Sequence, residues 1–277
     1  MSKGQVVSVI VTTKNEEEVI GRLIKSVKGQ SYKYKEIIVV DNNSWDRTIK
    51  IAKGLGALIY NFGPERSAQR NYGVKKSNGE YLLFLDADME LSKDVVWECV
   101  NLMSSDKKLG ALVIPENSLS KNFWEQVKAF ERSFYNEQGD EITDAVRFFS
   151  KKVFKKIGGY DEKITGPEDW DITDRVKKTG YKIASCKSVI YHHERIPTLF
   201  SLLQKKFYYA LKSHRYLAKQ KISVFGPKTI YFLRPVFYKR FDKILSHPLL
   251  SLGMFIVLSL EQLAAGSGYI LGRIKKA

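Results

Sequence analysis

Short apolar runs alternate with longer mixed segments from the N-terminus to about residue 190, the rhythm of strands joined by crossover helices in an open, mostly parallel sheet. Runs at 6–12, 36–41, 57–60, 81–86 and 110–114 predict strands. Between them, 16–29, 46–53, 67–76 and 93–103 have helical spacing, several with a polar residue at the start and Gly soon after the end. The unbroken stretches Ile37-Ile38-Val39-Val40 and Tyr81-Leu82-Leu83-Phe84-Leu85 suit strands covered on both faces, and ligands of such sheets collect where the strands end. The residues at those two ends are Asp41 and Asp86. Past 114 the pattern becomes irregular: a helix-like 122–136, a strand-like 147–150, Gly158-Gly159, a helix after Pro167 and a strand-like run at 181–191.

Two further patterns close the chain. Segment 199–219 places Leu199, Leu203, Phe207, Leu211 and Leu217 along one side, with Lys205, Lys212, Arg215 and Lys219 mostly opposite, which predicts one basic amphipathic helix into which Lys206 fits less well. Segment 248–272 holds a single charge, Glu261, and is long enough to cross a bilayer as a helix.

Composition sharpens this reading. With 277 residues and 44% apolar content the chain can build a real core, which excludes a disordered or fibrous protein. The net charge of +16 points to a polyanionic partner: nucleic acid, an anionic membrane or phosphorylated substrates. Its location discriminates, because residues 201–277 carry 14 Lys or Arg against only Asp242 and Glu261. The polar start MSKGQ is not followed by a long apolar run, and Cys99 and Cys186 lack metal-ligand spacing, so the expectation is a reduced, cytosolic chain.

Asp86-Ala87-Asp88 follows a buried-looking strand, and residues two apart in extended backbone project to one side, so both carboxylates can reach one space. Two such groups repel unless something positive lies between them, and a divalent cation held with a diphosphate is the natural partner. Asp169-Trp170-Asp171 has the same spacing without the strand before it. The segments after the first two strands, Thr12-Thr13-Lys14-Asn15-Glu16-Glu17 and Asp41-Asn42-Asn43-Ser44-Trp45-Asp46, offer Asn15 and Ser44 as helix caps. Asp41 can also accept from a nucleobase there. Neither a Gly-x-Gly-x-x-Gly nor a Walker Gly-Lys-Ser/Thr occurs, which argues against a dinucleotide enzyme or a P-loop NTPase.

Taken in order, Val9-Ile10-Val11-Thr12 with Asn15-Glu16-Glu17, Ile38-Val39-Val40-Asp41-Asn42-Asn43-Ser44, Arg66 with Arg70-Asn71-Tyr72-Gly73, Phe84-Leu85-Asp86-Ala87-Asp88, Ile157-Gly158-Gly159-Tyr160-Asp161 and Glu168-Asp169 resemble the family-2 type of inverting, nucleotide-sugar-dependent glycosyltransferases with the GT-A fold. The likeness covers roughly residues 6–193 and is specific for the family rather than for a sugar. It implies a Rossmann-like α/β domain whose mostly parallel sheet is flanked by helices. It places Thr12, Glu16 and Asp41 around the nucleoside, Asn43 and Arg70 near the nucleotide, and Asp86 and Asp88 on Mn2+ or Mg2+ and the donor. Asp169 matches the general base. Tyrosine at 160 replaces the commoner phenylalanine, and Thr-Thr-Lys stands where many members have a proline.

The reaction so implied needs a base for the acceptor hydroxyl and charge relief on the leaving diphosphate. One displacement inverts the anomeric centre. The acids after Pro167 equally suit a helix N-terminus, a role open to Glu168 even with Asp169 catalytic. Of His192 and His193, one is a candidate for the metal or the diphosphate, and the resemblance favours His193. Trp170 fits the core better than a sugar platform, and Arg175 an ion pair.

The expected organisation is a catalytic domain over 1–197, with a nucleotide-binding half at 1–110 and an acceptor-binding half at 111–197, followed by basic, aromatic-rich helices over 198–277 for membrane association. Aromatics among lysines suit lipid headgroups as well as bases, and the apolar 248–272 segment favours an anionic membrane over nucleic acid. The expectation is therefore a hexosyltransferase at the cytoplasmic face of the cell membrane, moving sugar from a UDP- or GDP-sugar to a lipid-linked or other membrane-associated acceptor. The alternative is a non-catalytic nucleotide-sugar-binding module recruited to membranes.

Overall fold

The computed structural model describes residues 4–136, 144–196 and 198–275. The apolar runs of the first half become strands close to their expected bounds. In chain order the elements are β1 (Val7–Thr13), α1 (Ile20–Lys28), β2 (Lys35–Asp41), α2 (Thr48–Gly54), β3 (Leu58–Asn61), α3 (Arg66–Lys76), β4 (Tyr81–Asp86), β5 (Met89–Leu91), α4 (Val95–Ser105), β6 (Leu109–Val113), β7 (Glu116–Leu119), α5 (Phe123–Asn136), β8 (Val146–Ser150), α6 (Lys151–Lys156), α7 (Glu168–Lys177), β9 (Lys182–Ser185) and β10 (Ile190–His193). Then come α8 (Leu199–Leu211), α9 (Ser213–Gln220), a 3-10 turn at Tyr231–Leu233, α10 (Pro235–Lys239), α11 (Phe241–Ser246) and α12 (Pro248–Ile274). Residues 1–116, 145–162 and 172–192 form one compact unit; 117–144, 163–171 and 193–277 form a second. The units therefore do not divide at residue 197, because the aromatic face of α5 is buried among the C-terminal helices.

The first unit carries a seven-stranded sheet in the order β3-β2-β1-β4-β8-β6-β9 among the described residues. Strands β1, β2, β3 and β4 pair in parallel, β8 runs antiparallel between β4 and β6, and β9 is parallel to β6. Alternation along each strand builds two cores. Val9, Val11, Val39, Leu83 and Leu85 face a layer containing Ile20, Leu23, Val95 and Cys99, whereas Ile10, Ile38, Val40, Leu82 and Phe84 face Val74, Phe154, Ile172 and Val176. Coverage on both sides explains why these strands read as continuous apolar runs. Cys99 and Cys186 are both buried and unbridged.

In the second unit α12 packs most extensively on α8 and then on α5. Its glycines make this possible: a Cβ on Gly268 would lie 2.4 Å from the Phe207 carbonyl oxygen, and one on Gly272 only 1.9 Å from that of Leu211. The expected single helix over 199–219 is broken at Lys212, where the backbone turns to φ −105°, ψ 0° between α8 and α9. Lys206, the residue that spoiled the amphipathic pattern, points inward and meets Glu261 at 3.5 Å. The Lys128 ammonium joins Glu131 at 2.5 Å and Glu261 at 3.0 Å, while Arg234 donates to the Tyr135 hydroxyl at 2.8 Å and that hydroxyl donates to Glu131 at 3.0 Å. Burial raises the Glu131 pKa, but the attraction of Lys128 outweighs it and brings the group down to about 2. Trp170 packs beside Tyr216, Ile164 and Leu217, the core role expected of it.

Candidate active site

The C-terminal ends of β1, β2 and β4 lie side by side, since Thr12 is level with both Val40 and Asp86, and Thr13 with Asp41. Thr12 is buried there. Asp41 is fully buried: its carboxylate accepts from Thr13 Oγ1 at 2.8 Å, from the Ser44 amide at 2.7 Å and from Ser44 Oγ at 2.6 Å. Three of roughly four acceptor sites are thus occupied, which leaves at most one for a bound base.

Asn15 and Ser44 do not cap their own helices: the residues at the N-cap positions of α1 and α2 are Val19 and Arg47, neither of which makes a side-chain cap bond. They join the two loops instead: the Asn15 amide donates to Ser44 Oγ at 2.7 Å and the Trp45 amide to Asn15 Oδ1 at 3.1 Å. The Glu16 amide donates to Thr48 Oγ1 at 2.7 Å. Asn43, exposed and at φ +51°, accepts from Asn61 Nδ2. The loop pair is thereby fixed before any ligand arrives.

The acidic pair is not placed by strand alternation. Asp86 ends β4, and Asp88 lies in the turn to β5. Two arginines hold Asp86: Arg70 Nη2 lies 3.0 Å from Oδ1, and Arg147 Nη1 3.7 Å from Oδ2. Burial works against ionisation of Asp86, yet the fields of Arg70, Arg147, Arg66 and His192 outweigh it and hold the carboxyl well below the usual carboxylate range. Arg70, itself fully buried on α3, lies over the Tyr160 ring at 5.0 Å. Positive φ at Gly158 and Gly159 brings the chain round so that the Tyr160 amide donates to Asn71 Oδ1 at 2.9 Å, while Asn71 Nδ2 donates to the Tyr160 carbonyl at 2.9 Å. The Arg-Asn and Gly-Gly-Tyr motifs are thus one device that aims Arg70 at Asp86.

On the other side His192 Nε2 faces Asp88 Oδ2 at 3.3 Å, and His192 Nδ1 faces Glu116 Oε2 at 3.3 Å. Glu116 also accepts from Arg147 Nε. The histidine beside the acidic pair in this unit is therefore His192, whereas His193 and Asp169 belong to the second unit. Asp169 stands in the first turn of α7, half-buried, next to the buried Glu168. Arg147 and Glu116 escaped the sequence reading. The available signal was a lone arginine inside the apolar strand Val146-Arg147-Phe148-Phe149, which needs a carboxylate partner once buried.

Residues 8–158 match the model of glycosyl transferase family 2, and residues 125–198 match that of the N-terminal domain of galactosyltransferase. An uncharacterised glycosyltransferase of Rickettsia typhi is 28% identical over 270 residues, covering 88% of this chain and 83% of its own length. The GalNAc(5)-diNAcBac-PP-undecaprenol beta-1,3-glucosyltransferase of Campylobacter jejuni is 32% identical over 127 residues, 42% of this chain and 41% of that one. Several other relatives are matched over less than half of their length. Among solved structures, a mannosyltransferase of Pyrobaculum calidifontis in complex with GDP-Man and Mn2+ superposes with a TM-score of 0.64 at 17% identity, covering 100% of this chain and 89% of the other. The fold is GT-A, and the chain is a transferase that belongs to glycosyl transferase family 2.

Proposed function

We propose that the protein moves a hexose from a UDP- or GDP-sugar to a lipid-linked acceptor at the cytoplasmic face of a membrane, with inversion in a single displacement. The observation that carries this reading is the Asp86 and Asp88 pair at the end of β4, clamped by Arg70, Arg147 and His192 beside the nucleotide loops. Relatives support it by their names: the Campylobacter enzyme acts on an undecaprenol-linked glycan, and the Pyrobaculum structure contains GDP-Man and Mn2+.

The donor set fits a divalent cation that arrives with the nucleotide. Among the described residues no group of three or more His, Cys, Asp or Glu side chains could hold a metal alone. Mg2+ and similar ions in such sites take one or two carboxylates and complete their shell with phosphate and water, which is what Asp86 and Asp88 offer. When bound, Mn2+ or Mg2+ offsets the charge building on the departing diphosphate. Thr12, Glu16, Asp41, Asn43 and Arg70 hold the nucleotide, and Asp169 takes the proton of the attacking hydroxyl.

The membrane contact runs through α12. Among the described residues it is the one helix long and apolar enough to cross a bilayer. Yet Glu261 is buried among lysines, and Leu249, Leu252, Ile256, Leu263, Ile270 and Ile274 remain exposed at helical spacing. An apolar stripe on a strongly basic segment suits an anionic lipid surface. A thermal-shift screen of UDP- and GDP-sugars with Mn2+ or Mg2+ tests the donor reading, since a ligand that binds the folded form must raise Tm. No shift with any of them would overturn it.

A further inference from the structure

We infer that Glu116 is a positioning residue that fixes both members of the acidic pair at once, holding Arg147 against Asp86 with one carboxylate oxygen and His192 against Asp88 with the other. The inference rests on the reading that this pair receives the donor and its cation. Arg147 Nε donates to Glu116 Oε1 while Nη1 of the same guanidinium reaches Asp86. Glu116 Oε2 faces His192 Nδ1, and the far nitrogen of that ring faces Asp88. The side chains of Glu116, Arg147 and His192 are only 18%, 9% and 14% exposed, so neither arm swings freely in solvent.

The chemistry of the second arm is directional. With Nδ1 held at Glu116, the ring plane is fixed and Nε2 is kept on the Asp88 side, so the imidazole steadies the carboxylate that would meet the cation. Without Glu116 the ring loses a contact that sets its orientation, and Arg147 loses a partner that holds its fork beside Asp86. A carboxamide at 116 cannot serve both arms, since it keeps one acceptor oxygen and turns a donor toward one of the two groups.

The test uses the full chain and measures Mn2+ affinity by electron paramagnetic resonance with GDP or UDP present, alongside the Tm of the ligand-free protein. Glu116→Gln is expected to lose roughly 10- to 100-fold in Mn2+ affinity, the range typical of outer-shell partners of metal sites. In a His192→Ala background the same substitution should cost less, because the arm through the ring is already gone and only the Arg147 arm remains. Should Glu116→Gln fold poorly, Glu116→Asp is measured instead, with a smaller loss expected. Wild-type affinity in the variant, or losses that simply add with those of His192→Ala, overturns the positioning role alone. Absence of Mn2+ binding by the wild type with either nucleotide overturns the cation reading, and this inference with it.

Discussion

Both carboxylate oxygens of Glu261 accept from the Lys128 ammonium, at 3.0 and 3.1 Å, inside the second unit. The lone charge of the apolar 248–272 segment is therefore a structural ion, paired with α5 and α8. Glu261→Ala leaves two lysines without this counter-ion and is expected to destabilise the protein by about 3–5 kcal/mol, the range for breaking a buried pair. Denaturant unfolding measures it, and a change within about 0.5 kcal/mol, as for an ordinary surface substitution, would contradict the role.

Glu131 gives this network a pH signature. Its pKa falls from the ordinary 4.5 to about 2 on folding, so its contribution is fully present above 4.5 and is lost as pH drops toward 2. Tm should fall across that window in the wild type and fall less steeply in Glu131→Gln, whose side chain does not titrate there.

Close approach of α12 to α8 predicts that Gly272→Val is poorly tolerated, because its Cβ would meet the Leu211 carbonyl oxygen at 1.9 Å. A loss of about 1–3 kcal/mol is expected from such overpacking. Gly54, where nothing lies within 4 Å of an added Cβ, is the control: Gly54→Ala should cost nothing measurable.

The outward stripe of α12 predicts membrane binding. Burying one leucine or isoleucine contributes about 1.5–3 kcal/mol, so the double variant Leu263→Ser with Ile270→Ser, which adds no charge, should weaken binding to anionic vesicles at least about tenfold while Tm stays near wild type. Unchanged vesicle partition would remove the stripe from the account.

The first half of the fold was legible because its strands are buried on both faces: β4 spans the expected 81–86 run, and β1, β2 and β6 lie within one residue of their expected bounds. Helix starts were less legible. The polar residues at 15 and 44 looked like caps, but they bond across the loops, and α1 begins four residues later than the expected 16. In the tail, Lys206 was readable only as a misfit, since its partner Glu261 is 55 positions away in sequence. Glu116 was invisible for the same reason: nothing local marks a carboxylate that binds Arg147 and His192 from distant segments.

Removal of divalent cations should abolish sugar transfer, and either Mn2+ or Mg2+ should restore it, as read in a radiolabelled-sugar assay after chelation with EDTA. Full activity in EDTA would remove the cation from the mechanism while leaving the family assignment untouched.

The most direct test of the proposed chemistry is Asp169→Asn, which keeps the shape of the side chain and removes its basicity. With saturating donor and a polyprenyl-phosphate-linked acceptor, transfer should fall on the order of 10²- to 10⁴-fold while donor affinity, measured by calorimetry with Mn2+, stays within a few-fold of wild type. Transfer that persists at a rate close to wild type would contradict Asp169 as the base.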